Sequence, residues 1–254
     1  MRFVLAGLAA AISTLTVAQA APTTLSLTAT IRDFTDDHPD FEGAVGSYSG
    51  AVATTLGADS KPVFAIPDYS SSVFSTADNF NQWYNDVPGV NTSTSYTLDL
   101  VDPDADGVYT YSNSSFFPID GELFGNEGRS HNYHFTLELH SSFTYTGGET
   151  FSFVGDDDLW VFINDSLVID LGGVHGAQAA SVSLDTLGLT IGEEYSLDLF
   201  FAERHTVASN FNIETSLVLE DEPPVEPVSE PGLIGLLGLG LFGMGVAARR
   251  RRRA

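Results

Sequence analysis

The chain has 254 residues, 43% of them hydrophobic, which is enough to bury a sizeable core in one domain or a small pair. Its formal charge of −24 makes nucleic acid and anionic membrane surfaces poor partners, and its lack of cysteine excludes disulfides and thiolate metal centres. Divalent cations and neutral sugars suit such a body better.

Residues 1–20 read as a secretory signal peptide. Arg2 precedes an apolar stretch from Phe3 to Val17, and Ala18-Gln19-Ala20 supplies the small-x-small ending, so cleavage is expected after Ala20 and export through the secretion machinery follows. With Arg2 and the terminal Arg249–Arg253 set aside, only Arg32, Lys61, Arg129 and Arg204 stand against 34 acids.

"TTLSLTATI" from Thr23 alternates as a half-buried strand does, and "SSVFSTADNFNQWYNDV" holds the one short helix expected. Next comes "DPDADGVYTYSN". Asp102, Asp104, Asp106 and Gly107 make D-x-D-x-D-G, the first half of an EF-hand-type loop, in which alternate carboxylates face a Ca²⁺ and glycine makes the turn. Asn113 stands at the twelfth position in place of the bidentate Glu, so the loop is either a structural Ca²⁺ site or a bare acidic turn.

"YHFTLELH" puts Tyr133, Phe135, Leu137 and Leu139 on one face and His134, Thr136, Glu138 and His140 on the other, which predicts a strand with a solvated polar side. Thr146-Gly147-Gly148-Glu149 predicts a hairpin turn. "SLDLFFAE" from Ser196 and "FNIETSLVL" from Phe211 complete the strands. Many short strands with frequent turns predict an all-β, antiparallel β-sandwich over residues 24–219.

Between two of these strands lies Asp156-Asp157-Asp158. Adjacent carboxylates in a half-dry place repel by a few kcal/mol per pair unless they are solvated, protonated or chelated. From residue types alone the triplet is either a solvated acidic turn or a rim corner whose hard oxygens take Ca²⁺. Trp160 directly after it is expected in the core, though an aromatic there could also stack on a sugar ring.

"GDDDLWVFINDSLVIDLGGVHG" resembles the centre of the protective-antigen-type sandwich, in which a strand ends in Asp-Asp and a Gly-Gly-x-His segment follows. In the sugar-binding members, the flocculin-type adhesins, two such aspartates chelate Ca²⁺ across a cis peptide, an Asn from another loop completes the site, and the ion holds sugar hydroxyls. The resemblance implies Asp156, Asp157 and Asn210 as Ca²⁺ ligands; Asp158 falls where that family more often has Gly, and it is expected with Gly173, His175 and His205 on the rim loops beside the sugar.

More of the chain is similar to fibro-slime domain proteins. "IRDFTDDHPDFE", "NQWYNDVPGVN", "FFPIDGELFGNEG", "HNYHFTLELHSSFTY" and "DLFFAERHTVASNF" carry that likeness across residues 24 to 218, and it implies an extracellular sandwich.

Residues 220–230 form a Pro- and acid-rich linker, and 231–254 an uncharged span from Gly232 to Ala248 closed by arginines, short for a transmembrane helix. Ser229-Glu230-Pro231 with this tail resembles the PEP-CTERM sorting signal of Gram-negative bacteria, with Ser229 where that family has Pro. It implies an exosortase-type processing enzyme as partner and a transient membrane anchor at the cell surface.

No H-E-x-x-H spacing, nucleophile elbow or phosphate loop is present. His131, His134 and His140 are expected as surface or rim histidines. The expected function is therefore not enzymatic: a secreted or cell-surface, Ca²⁺-dependent adhesion module that binds an extracellular polysaccharide or glycan, or else a matrix protein in which Ca²⁺ only holds loops, with a polysaccharide-processing enzyme as the third alternative, ranked below both.

Overall fold

The computed structural model describes residues 21–222; the expected signal peptide, the linker from residue 223 and the sorting tail with Ser229, Glu230 and Pro231 lie outside the described residues. Among the described residues no helix is long and apolar enough to cross a membrane.

The strands follow in chain order: β1 (Thr24–Asp33), β2 (Gly46–Ser47), β3 (Thr92–Val101), β4 (Tyr109–Asn113), β5 (Phe135–Thr144), β6 (Thr150–Asp156), β7 (Asp158–Ile163), β8 (Ser166–Leu171), β9 (Gly173–Val174), β10 (Gln178–Ser183), β11 (Glu194–Glu203), β12 (Asn210–Thr215) and β13 (Glu220–Asp221). Among the described residues the one α-helix, α1 (Ala77–Phe80), is one turn long, with Thr76 Oγ1 accepting from Asn79 N at its start.

All pairings are antiparallel, in the order β10-β6-β12-β4-β3-β1-β5-β11-β7-β8. β3 and β4 share only the pair Val101 with Thr110, so the ladder folds over there into a long front layer (β3 to β8) and a shorter back layer (β10 to β4). This is the expected sandwich. Leu25, Leu27, Ala29 and Ile31 of β1 alternate inward, as do Phe211 and Ile213 of β12, and they meet Leu137, Phe153, Leu199 and Phe201 in one apolar core. Rings from the two layers touch directly, with Phe201 and Phe211 5.1 Å apart between centroids.

A second core lies on the outer face of the front layer. Trp160, Phe162, Phe200 and Ala202 face outward from β7 and β11 and are covered by Ala51, Val52, Phe74, Phe80, Trp83 and Tyr84 from the long excursion between β1 and β3. The front strands β5, β7 and β11 are therefore buried on both faces. Trp160 lies in this core, its Nε1 donating to Asp170 Oδ1 at 3.0 Å.

The expectation of a solvated polar side on "YHFTLELH" is corrected here. His134 is buried between Glu127 (Nδ1 to Oε2, 2.6 Å) and Glu42 (Nε2 to Oε1, 2.9 Å), because loops 34–42 and 117–131 close over it. His140 is held between Asp198 (2.6 Å) and Glu138 (3.0 Å). His131 does lie partly exposed, stacked on Phe117.

The turn at 146–149 is also not a hairpin. β5 and β6 belong to different layers, so this turn carries the chain across the sandwich, with Glu149 accepting from Thr146 N and Gly147 N. Glu220 and Asp221, expected as the start of a linker, pair with Ser142 and Ser141 of β5.

Candidate metal and ligand site

β6 belongs to the back layer and β7 to the front, and no pairing joins them. Asp156-Asp157-Asp158 is the crossing between layers, and its Asp156–Asp157 peptide bond is cis. Gly155 allows the approach, since a Cβ there would collide with the Asn210 carbonyl oxygen.

Each aspartate answers to a different segment. Asp156 accepts from Asn210 N (2.5 Å) and Asn210 Nδ2 (2.9 Å) at the start of β12. Asp157 accepts from His175 N (3.1 Å) and Arg204 N (3.0 Å), which draws the loops after β9 and β11 to one point. Asp158 accepts from Gly173 N and Arg204 Nε, both at 2.5 Å.

Arg204 explains the third carboxylate. Its guanidinium lies over the neighbouring rings of Phe74 and Trp83, 4.8 Å from each centroid, and Nη1 donates to the carbonyls of Asp40 and Val73 at 2.9 Å. Arginine and Asp158 are both sealed from solvent, so each is the other's compensating charge.

Asp156 and Asp157 have no such partner: among the described residues neither makes a salt bridge. Burial pushes Asp157 up to about 7, with the Arg204 charge opposing and Asp158 adding to the rise. Burial also raises Asp156, against the two bonds from Asn210. Glu203 is raised too, by its own burial and then by the Asp157 charge, with the Ser209 hydroxyl opposing. Such carboxylates are short of positive charge.

The donor chemistry fits a hard cation. Two adjacent carboxylates keep lone pairs beyond those used by the backbone N–H groups, and Asn210 keeps its Oδ1, since only its N–H groups are engaged. All are oxygens, the donor type Ca²⁺ takes. Among the described residues no three His, Asp or Glu side chains already converge as a ready metal cluster, so carbonyls and the amide would fill the remaining positions.

The other expected residues are placed differently. Asp158 is wholly enclosed and cannot touch a sugar; it anchors Arg204. Gly173 is buried in the β2–β9 pair at φ +99°, where a Cβ would strike the Gly46 carbonyl oxygen, and it donates to Asp158. His175 has both ring nitrogens against backbone carbonyls, of Gly176 (3.0 Å) and Leu171 (3.2 Å), and it serves Asp157 through its N–H. His205 is partly exposed, with Nδ1 2.9 Å from the Thr206 carbonyl and Nε2 3.8 Å from Glu42.

Asp102, Asp104 and Asp106 do not form the three-carboxylate cup expected of D-x-D-x-D-G. Asp102 caps its own turn by accepting from Asp106 N and Gly107 N, and Asp106 accepts from Val108 N. The loop follows Val101, which pairs with Thr24 at the opposite end of β1 from Asp33, so it lies at the far end of the sandwich from the triplet.

Sequence reasoning missed Arg204, Glu203 and Ser209. One signal was present: a body with four basic side chains must spend each on a specific acid, and all four do pair, Arg32 with Asp86 and Glu138, Lys61 with Glu138, Arg129 with Asp36, Arg204 with Asp158.

Residues 125–230 match the family model of the PA14 domain, and the sandwich has the PA14 fold. Among curated proteins, psiC of Dictyostelium discoideum is 43% identical over 213 residues, 77% of this chain and 41% of psiC. The psiR protein of the same organism is 43% identical over 217 residues, 78% of this chain and 22% of psiR. The chain thus spans less than half the length of these relatives. They come from Dictyostelium, whereas the tail resemblance implied a Gram-negative source. The solved epithelial adhesin 9 A domain from Candida glabrata in complex with Galb1-4GlcNAc matches 77% of this chain and 88% of its own at 14% identity, with a TM-score of 0.33.

Proposed function

We propose that this chain is an extracellular or surface carbohydrate-binding adhesion module whose ligand is held through Ca²⁺ at Asp156, Asp157 and Asn210. The observation that carries the reading is the pair of adjacent carboxylates, 5% and 6% exposed, that no cationic side chain among the described residues neutralises. A buried anion without a partner is costly, and a hard cation removes that cost.

In this reading each residue has one task. Asn210 Nδ2 and N orient Asp156, and the N–H groups of His175 and Arg204 orient Asp157, so the carboxylates are preorganised before an ion arrives. Asp156, Asp157 and Asn210 would hold a Ca²⁺, which would supply a hard Lewis-acid centre for the hydroxyls of a neutral sugar. The module binds without turnover. Export and surface display agree with Ca²⁺ use, because sites of this kind are filled at the 10⁻⁴–10⁻³ M typical of extracellular modules. An extracellular polysaccharide is the partner that follows, and the exosortase-type processing expected from Ser229-Glu230-Pro231 belongs to the same proposal.

The test is a glycan array and polysaccharide pull-down in Ca²⁺ and in chelator. Binding should need Ca²⁺ and be lost in Asp156→Asn/Asp157→Asn. Sugar retention by that variant, or by wild type in chelator, would overturn the reading. Ca²⁺-raised melting with no retained glycan would replace it with a purely structural ion.

A further inference from the structure

Glu203 ends β11. Its neighbours Ala202 and Arg204 face the second core, so strand alternation turns Glu203 to the other side, with Phe201, into the space between the two layers. Ala202 pairs with Asp158, which brings Glu203 opposite Asp157. Ser209, pinned through its carbonyl by Phe116 N, precedes Asn210, the residue paired with Asp156. Glu203 and Ser209 therefore lie beneath the Asp156–Asp157 corner.

Both are fully buried, and no cationic side chain among the described residues pairs with the carboxylate. Glu203 Oε1 accepts from His205 N at 3.4 Å, while Oε2 has no close hydrogen bond and its neighbouring donor is the neutral Ser209 hydroxyl, which holds the carboxylate without compensating its charge. A buried acceptor left unmade costs about 1–3 kcal/mol, and more if it is charged. A buried carboxylate that only neutral donors reach, placed behind this corner, points to a positive charge on the corner's other side.

We infer that Glu203, with Ser209 beside it, is a positioning residue of the cation site: a third carboxylate behind Asp157 that adds negative charge and sets the affinity for Ca²⁺. The inference rests on the reading that Asp156 and Asp157 hold that ion. Since the three carboxylates do not converge on one point, Glu203 acts from behind the ligands and not as one of them.

The experiment is calorimetric titration with Ca²⁺ alone, paired with melting in chelator, on the full chain and Glu203→Gln. The variant should bind Ca²⁺ on the order of 10-fold or more weakly, the scale of outer-layer substitutions at metal sites. Its ion-free melting temperature should equal or exceed that of wild type, because a buried carboxylate has been replaced by a neutral amide of the same shape. An unchanged affinity in E203Q overturns the inference and leaves the Asp156–Asp157 reading standing. A lowered ion-free melting temperature with unchanged Ca²⁺ affinity assigns Glu203 to structure alone and also overturns it. A wild type that binds no Ca²⁺ removes both. Should E203Q not fold, Ser209→Ala decides: weakened Ca²⁺ binding supports the inference and unchanged binding overturns it.

Discussion

At the scale of single residues, three neighbouring aspartates have two different occupations. Asp156 and Asp157 are anchored by N–H groups and left short of positive charge, whereas Asp158 is half of a sealed ion pair with Arg204. Removing one partner of such a pair leaves an uncompensated buried charge, which costs about 3–5 kcal/mol, while removing both costs far less. Arg204→Met is therefore expected to lose about that much stability in urea unfolding. Asp158→Asn/Arg204→Met should recover a good part of it. Equal losses in the single and double variants would mean that Arg204 matters only through its packing on Phe74 and Trp83.

At the scale of an element, β5 shows how a strand with alternating chemistry can be buried on both sides. Its apolar face meets the sandwich core, and its polar face carries Glu138 and His140 into a network with Arg32, Lys61 and Asp198 under the 34–91 excursion. Burial alone would lower His140, but its bonds to Asp198 and Glu138 outweigh that and push it up to about 9. Burial would raise Glu138, yet the His140 bond and the charges of Arg32 and Lys61 bring it down to about 2. A histidine raised in the folded state stabilises fully below its unfolded value near 6.5 and stops doing so as pH rises through 9. The lowered glutamate contributes above about 4.5 and loses that contribution as pH falls toward 2. Between pH 6.5 and 9.5 the protein should lose on the order of 3 kcal/mol through His140. His140→Gln should flatten that limb of a melting-temperature profile; an unaltered slope would show that His140 does not carry it.

At the scale of the whole molecule, the fold has two cores on either side of one sheet. The inner core joins the layers, and the outer one fastens the excursion through Trp83, Phe80 and Phe74 onto Trp160 and Phe200. The excursion also closes over Arg204, so the outer core and the candidate site share a wall. Trp83→Ala should cost about 3–5 kcal/mol as a buried large-to-small change. Under the proposed function, sugar binding in Ca²⁺ should weaken as well, since Arg204 N orients Asp157. Intact binding in a destabilised Trp83→Ala would separate the outer core from the site.

What residue order determined by itself was local. Period-two alternation in "TTLSLTATI" and "FNIETSLVL" marked β1 and β12, turn residues marked where β5 ends, and the acidic triplet marked the end of β6, because each of these signals lies within a few consecutive residues. The cis bond between Asp156 and Asp157 was legible only through the motif's resemblance. Only the tertiary structure decided which polar faces are dry, that 146–149 crosses between layers, and which acid Arg204 compensates. Those outcomes depend on contacts between segments tens of residues apart, such as Trp83 on Trp160 and Arg204 on Asp158. A side chain's own chemistry says that it needs a partner, and the packing of distant strands says which one it has.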